Sequence, residues 1–67
     1  MKITKVVILR HGAIRPHCPR IELSYCPQAQ KYYIENIVGD RVMFYGYSPN
    51  PRIAHSIFQA MIQDAGI

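Results

Sequence analysis

The feature that most constrains the fold is that one segment of the sequence, residues 50–65, has the pattern of a helix. Asn50 can cap its first turn, and Pro51 suits the first helical position because it lacks an N–H to satisfy. Apolar side chains then recur at helical spacing as far as Ala65, and Gly66 can close the C-terminus. The other patterned segments favour strands, so one helix is available to cover one face of a sheet.

Four β-favouring segments precede this helix, at residues 2–10, 21–26, 31–37 and 41–47. The first is apolar on both faces, as a central strand requires. The second alternates apolar and polar residues, which is the period of a half-buried strand. A short connection at Gly39 and Asp40 separates the third from the fourth and predicts a hairpin.

These elements predict a single domain, residues 1–67, of the α+β class. It is a small two-layer structure in which an antiparallel sheet of about four strands has one C-terminal helix packed on one face. The pattern leaves the strand order open. A chain of 67 residues buries only roughly 60% of its unfolded surface, so we expect marginal stability unless a metal or a second copy contributes.

Positive charge is concentrated near the N-terminus. The formal net charge is +4, yet residues 1–20 contain five of the eight basic residues and none of the four acids. A basic patch raises the local concentration of anionic partners, such as nucleic acid, a phosphorylated ligand or an acidic protein surface. A solubilising surface would explain the same residues.

Tyrosine side chains on the strands are the second candidate for binding. We expect the sheet face that the helix leaves free to be lined by Tyr25, either Tyr32 or Tyr33, Tyr45 and Tyr47. Such a face suits a protein interface, a stacking platform for single-stranded nucleic acid, or ordinary sheet packing. With the basic residues, the predicted binding set is Arg10, Arg15, Arg20, Tyr25, Tyr33, Arg41, Tyr45 and Tyr47.

An apolar strand runs directly into Arg10, His11 and Gly12. This resembles the opening of the histidine phosphatase superfamily, in which the histidine takes the phosphoryl group and arginines hold its oxygens. The acid phosphatase branch continues as Arg-His-Gly-x-Arg-x-Pro, whereas here Arg15 and Pro16 are adjacent and the second arginine comes one place late. The resemblance covers about eight of the 67 residues. The second histidine, the acid and the large domain of such an enzyme have no room, so a phosphoryl-transfer fragment is a remote alternative.

Four possible zinc ligands fall within a short span: His11, His17, Cys18 and Cys26. Their spacing matches no Cys-x-x-Cys or His-x-x-x-His pattern, so zinc stays an open alternative and the prediction is no metal and no cofactor. His17 beside Cys18 suggests a nucleophile and base, but no orienting carboxylate is near in sequence. The prediction is that the chain has no catalytic residues and is not an enzyme.

These observations predict a small cytoplasmic binding protein that uses the tyrosine-rich face and the basic loop from Arg10 to Arg20. Its partner is expected to be another protein or a second copy of the chain. By analogy alone, free-standing chains of this kind are typical of phage or mobile-element inhibitors and of small regulators, acting for example on a host defence or nucleic-acid-processing complex. The alternative is a small RNA- or DNA-binding protein. No apolar run approaches the roughly 18 residues of a membrane span, so no membrane association is expected.

Overall fold

The computed structural model describes residues 4–13 and 15–66, and it confirms the predicted α+β architecture. Four strands form one antiparallel sheet in the order β1-β2-β3-β4, and a helix follows the last strand. The elements are β1 (Val6–His11), β2 (Pro19–Cys26), β3 (Lys31–Val38), β4 (Arg41–Ser48) and α1 (Pro51–Ala65). Each strand therefore pairs with its neighbour along the chain, and each connection is short.

The helix begins and ends where the sequence predicts. The side-chain oxygen of Asn50 accepts hydrogen bonds from the backbone N–H groups of Arg52, at 2.9 Å, and Ile53, at 3.4 Å. Gly66 adopts φ of 69°, and its N–H donates to the Ile62 carbonyl oxygen at 3.2 Å. The described residues contain no helix long and apolar enough to cross a membrane.

Glycine sets the geometry at one end of the sheet. Gly39, with φ of 66°, allows the tight turn from β3 to β4. Gly12, after β1, has φ of 106°, and a Cβ there would lie 2.7 Å from the Pro19 carbonyl oxygen. Because β1 and β3 both end at this side of the sheet, the loop residues 12, 13 and 15–18 lie at the same side as the turn at residues 39–40. We call this side the loop end.

The hydrophobic core lies between the sheet and α1. Ile21 and Leu23 of β2 and Ile34 of β3 pack with Ala54 and Phe58 of α1, and all five are buried. The helix contacts β2, β3 and β4. Partly buried side chains pack against the five core residues, and these are Tyr32, Ile57, Met61, Ile62 and Ala65. The core is therefore centred on the two inner strands.

The structure fixes the position of β1 in the sheet, which the sequence pattern left open. β1 lies at an edge of the sheet and is paired with β2. Its apolar residues 6–9 are each between 40% and 55% exposed. Residues 2 and 3, the start of the predicted strand, lie outside the described residues. The apolar run predicted a strand correctly, but a local pattern does not determine what lies on either side of it.

Candidate interaction surface on the open face of the sheet

The open face of the sheet, which is the side opposite α1, follows from the pairing register. Glu22 is opposite Glu35, and Glu35 is opposite Tyr45. Tyr33 is opposite Tyr47. Residues directly opposite each other in an antiparallel pair project to the same side, and alternate residues of a strand share that side. Tyr33, Tyr45 and Tyr47 therefore lie on the face that the helix leaves free.

Tyr25 lies on the other face, which corrects the expectation that it lines the open face. It shares the alternation of Ile21 and Leu23, and it is opposite Tyr32, with ring centroids 4.8 Å apart. Tyr32 borders the core beneath α1. The two rings therefore extend the helix-covered layer toward β1, and a partner on the open face would not contact Tyr25.

A buried carboxylate occupies the centre of the open face. Glu22 is 8% exposed, and its Oε2 accepts hydrogen bonds from Arg10 Nε at 2.8 Å and Arg20 Nε at 3.0 Å. Arg20 also donates from Nη1 to the Gly39 carbonyl oxygen at 2.7 Å, which ties the centre of the face to the loop end. Burial raises the pKa of Glu22, but the hydrogen bonds and positive charges of both arginines outweigh it, so the pKa lies below its ordinary value.

Lysines and tyrosines form a row beside this centre. Lys5 Nζ lies 4.5 Å from the centroid of the Tyr33 ring and 3.2 Å from Glu35 Oε1. The Tyr33 and Tyr47 centroids are 6.2 Å apart, and Lys31 Nζ lies 4.9 Å from the Tyr47 centroid. These distances are in the range of cation–π contacts and paired aromatic rings. A pair of rings on the open face thus has one cation at each end, Lys5 beside Tyr33 and Lys31 beside Tyr47.

Two predicted cations lie at the loop end. Arg15 and Arg41 are exposed, and they border shallow grooves with Pro16, Gly39 and Asp40. Neither forms an ion pair with any acid in the described part of the chain. The predicted basic residues therefore fall into two groups: Arg10 and Arg20 bond to Glu22, whereas Arg15 and Arg41 are exposed at the loop end.

The two outer strands carry an exposed apolar surface. The sequence did not predict it for β1, and for β4 it predicted the tyrosines alone. Among the described residues, nine of the ten large apolar side chains that are exposed belong to these two strands. On β4 the exposed fractions are 49% for Val42, 62% for Met43 and Phe44, 60% for Tyr45 and 55% for Tyr47. Phe44 lies on the helix side, whereas Val42, Tyr45 and Tyr47 border the open face. The open face thus has a charged centre and an apolar rim along β4, the reverse of a usual protein interface.

The residues that resemble a phosphatase motif do not converge. Arg10 is opposite Glu22 on the open face, whereas His11 is opposite Ile21, whose side chain points toward α1. The two side chains therefore leave β1 on opposite sides of the sheet. A shared phosphoryl group would need both on one side, and the guanidinium of Arg10 is already bonded to Glu22.

The possible zinc ligands are likewise separated. Cys18 precedes β2, and Cys26 ends it, so roughly 26 Å of strand lie between them. Both thiols are free, and Cys26 donates to Gln28 Oε1 at 3.4 Å. Within the described residues, no group of three His, Cys, Asp or Glu side chains comes close enough to hold a metal ion.

The arrangement is suited to binding, because it offers exposed rings, cations at the loop end without an ion-pair partner among the described residues, and a buried centre. That centre is held by contacts on both faces of the inner strands, and its one carboxylate has two arginine partners. No protein-family model, no curated protein and no solved structure matches this chain.

Proposed function

We propose that this chain is a small non-catalytic binding protein that docks on another protein through the open face. The observation that carries the proposal is the exposure of Tyr45 and Tyr47, at 60% and 55%, on a face without helix cover. Tyrosine offers a large contact area at a small cost in side-chain entropy, so it is common at protein interfaces. In the cytoplasm, such a chain would inhibit or regulate the complex that it binds.

The balance of buried and exposed apolar groups supports this function. The core contains seven buried hydrophobic residues, whereas ten large apolar side chains are exposed in the described residues. A half-exposed side chain of this size leaves roughly 100 Å² in water, so Val42, Tyr45 and Tyr47 together leave roughly 300 Å² on the open face. A patch of that size on a monomer is commonly functional.

The charged residues have two different roles in the proposal. Arg10 and Arg20 hold Glu22 and keep the centre of the face rigid. Arg15 and Arg41 supply positive charge at the loop end, where acidic groups of the partner would be attracted. Removing Arg15 or Arg41 should slow association and reduce its salt dependence, with little effect on folding.

The proposal is tested by affinity purification from the source cells with quantitative mass spectrometry. The chain with Tyr45→Ser and Tyr47→Ser together should recover its partner at least about tenfold less than the unaltered chain, because both exposed rings are lost. Gln63→Ser, on the exposed side of α1, is the matched control and should recover the partner fully. Equal recovery by the tyrosine variant and the control would rule out the open face, provided circular dichroism shows both variants folded.

A second function, binding to single-stranded nucleic acid, is supported by the row from Lys5 to Lys31. Single-strand binders combine aromatic rings with cations in this way. A fluorescent random oligonucleotide, titrated at several salt concentrations, distinguishes the two functions. Binding that weakens steeply with salt and is lost on Tyr33→Ala and Tyr47→Ala would favour nucleic acid. Absence of binding at low salt leaves the protein partner.

A further inference from the structure

The two edge strands of the sheet, β1 and β4, differ in how readily they could pair with a further strand. β1 is flanked by Lys5 and ends with Arg10 and His11, and its ladder with β2 is irregular between Val7 and Leu9. Charges and β-bulges at an edge are features that discourage pairing with a further strand. β1 therefore has protection against edge-to-edge association despite its apolar side chains.

β4 lacks this protection over most of its length. Residues 42–48 include no charged residue and no proline. The pairing of β4 with β3 shifts register at Met43 and is regular from Phe44 to Ser48, so the outward backbone groups alternate as in an ordinary ladder over residues 44–48. In the described part of the chain, β3 is the one strand that pairs with β4. Its outer N–H and C=O groups are thus arranged to bond to another extended backbone.

Exposed apolar side chains lie beside β4 on both faces of the sheet. Phe44, opposite Asn36, lies on the helix side of the sheet. Gly46 lies on the same side, where a Cβ would be 3.4 Å from Ile57 Cγ2, so α1 approaches β4 closely there. Ile53 is one turn before Ile57 on the same helix face and is 53% exposed. Tyr45 and Tyr47 provide the corresponding apolar surface on the open face.

We propose that β4 pairs antiparallel with β4 of a second copy of this chain, about a twofold axis that places Tyr45 opposite its own counterpart. This register sets Phe44 opposite Gly46 of the second copy, where the ring would lie beside Ile57 of that copy's helix. The two four-stranded sheets then form one continuous sheet of eight strands, with both helices on the same side.

Charge favours a second copy at this edge. Although the chain carries a net charge of +4, residues 42–48 place no charge opposite a like charge in this pairing. Twofold pairing through β1 would instead bring Lys5 and Arg10 of both copies into the same short ladder. The β4 edge is therefore the self-complementary edge of the sheet.

The available area is enough for a specific dimer of modest affinity. Six large apolar side chains near this edge are each 49% to 62% exposed, and these are Val42, Met43, Phe44, Tyr45, Tyr47 and Ile53. At roughly 100 Å² each, the pair of copies would bury up to roughly 1,200 Å², at the lower end of specific interfaces. We therefore expect a dissociation constant in about the micromolar range.

Dimer formation also moves the apolar side chains of the open face from its rim to the centre of the combined surface. In one copy the tyrosines form a rim beside the charged centre. In the paired sheet, Tyr33, Tyr45 and Tyr47 of both copies meet in the middle, and the Glu22 clusters flank them on either side. An apolar centre with a polar surround is the usual arrangement of a binding interface. The inference extends the proposed function by adding a second copy, and it is tested separately.

Sedimentation velocity on the full chain, from about 5 to about 500 μM, tests the inference. The unaltered chain should shift from monomer toward dimer as concentration rises. Tyr45→Lys places two like charges opposite each other at the axis, and it should raise the dissociation constant by about tenfold or more. Val7→Lys, a matched exposed position on β1, should leave the dissociation constant unchanged within about twofold.

Cross-linking tests the register independently of the lysine variant's stability. In a Cys18→Ser background, Tyr45→Cys should form an intermolecular disulfide on oxidation, because opposite residues have Cα atoms about 4.5–5.5 Å apart. Val7→Cys in the same background should not. A monomer at every concentration without this cross-link, or a dimer broken by Val7→Lys and not by Tyr45→Lys, would overturn the inference. If a monomeric chain still captures its partner in the affinity experiment, the proposed function stands without the dimer.

Discussion

The two faces of the sheet bury the same inner strands by different chemistry. Toward α1, Leu23 and Ile34 are 4% and 0% exposed and pack against Phe58 without polar contacts. On the open face, Glu22 is nearly as buried, at 8%, yet it is held by the guanidinium groups of two arginines. The helix face is therefore stabilised by removal of apolar surface from water, whereas the open face also contains a cluster that depends on the ionisation of one carboxylate.

This difference explains how a short chain keeps one face available. A second helix or apolar layer would hide the open face, but an ion-pair cluster orders its centre while leaving the rings of β4 in water. Hydrophobic burial is insensitive to pH near neutrality, whereas the Glu22 cluster is sensitive to acid. The two faces should therefore fail under different conditions, and the following variants separate them.

The largest effect is expected on the helix face. Phe58→Ala should lower the free energy of unfolding by about 3–5 kcal/mol, because it removes a buried ring and leaves a cavity. Urea denaturation followed by circular dichroism measures the change. Phe44→Ala is the matched control: its ring is 62% exposed, so the loss should stay below about 1 kcal/mol at concentrations where the chain is monomeric. Similar losses of unfolding free energy for the two variants would contradict a core between the sheet and α1.

The next effect is expected at the centre of the open face. Glu22→Gln removes the acceptor charge shared by Arg10 and Arg20, and it should cost about 1.5–3 kcal/mol. Glu35→Gln is the control. Its partner Lys5 has a side chain 36% exposed, so the loss should be at most about 1 kcal/mol. If the two losses are equal in urea denaturation, the Glu22 cluster is no more than a surface ion pair.

Acid should act mainly through the open face. Because the pKa of Glu22 is lower in the folded chain than its ordinary value of 4.5, the unfolded chain binds the proton more readily. The stabilisation from this group is fully present above about pH 4.5 and declines as the pH falls through its folded-state pKa. Urea midpoints measured from pH 6 to about pH 2 should show this decline. The slope should be shallower in Glu22→Gln, and an unchanged slope would assign the acid sensitivity to other groups.

The smallest effect is expected at the start of α1. Asn50→Ala should lower the free energy of unfolding by about 1 kcal/mol, because two backbone N–H groups lose their acceptor. Asn50→Gly should cost only a few tenths of a kcal/mol by the same principle. Thermal unfolding of both variants checks the order. A larger loss for glycine than for alanine would show that backbone flexibility, not the cap, dominates at this position.

Much of this fold could be predicted because its signals are local. Asn50 and Pro51 start the helix, Gly66 ends it, and Gly39 allows the hairpin, each through its own backbone or side-chain chemistry. The edge position of β1 could not be predicted in this way. Its apolar run favours burial of the strand, but the position of a strand in a sheet depends on the pairing of the whole chain.

The candidate site was predicted less completely. The exposure of Tyr45 and Tyr47 on the open face follows the expected alternation of β4. The face of Tyr25 was assigned wrongly although the signal was present, since Tyr25 shares the alternation of Ile21 and Leu23. The cluster around Glu22 joins residues from separate strands, so it depends on register, which no single segment contains.

The meander order of the strands has a kinetic consequence. Each strand pairs with the segment that precedes it, so every step of sheet formation closes a short loop and loses little chain entropy. The helix is the last element, and it packs back onto strands that are its near neighbours along the chain. Topologies dominated by such local pairings fold quickly, and we expect this chain to refold in about milliseconds, as a single exponential phase in stopped-flow experiments.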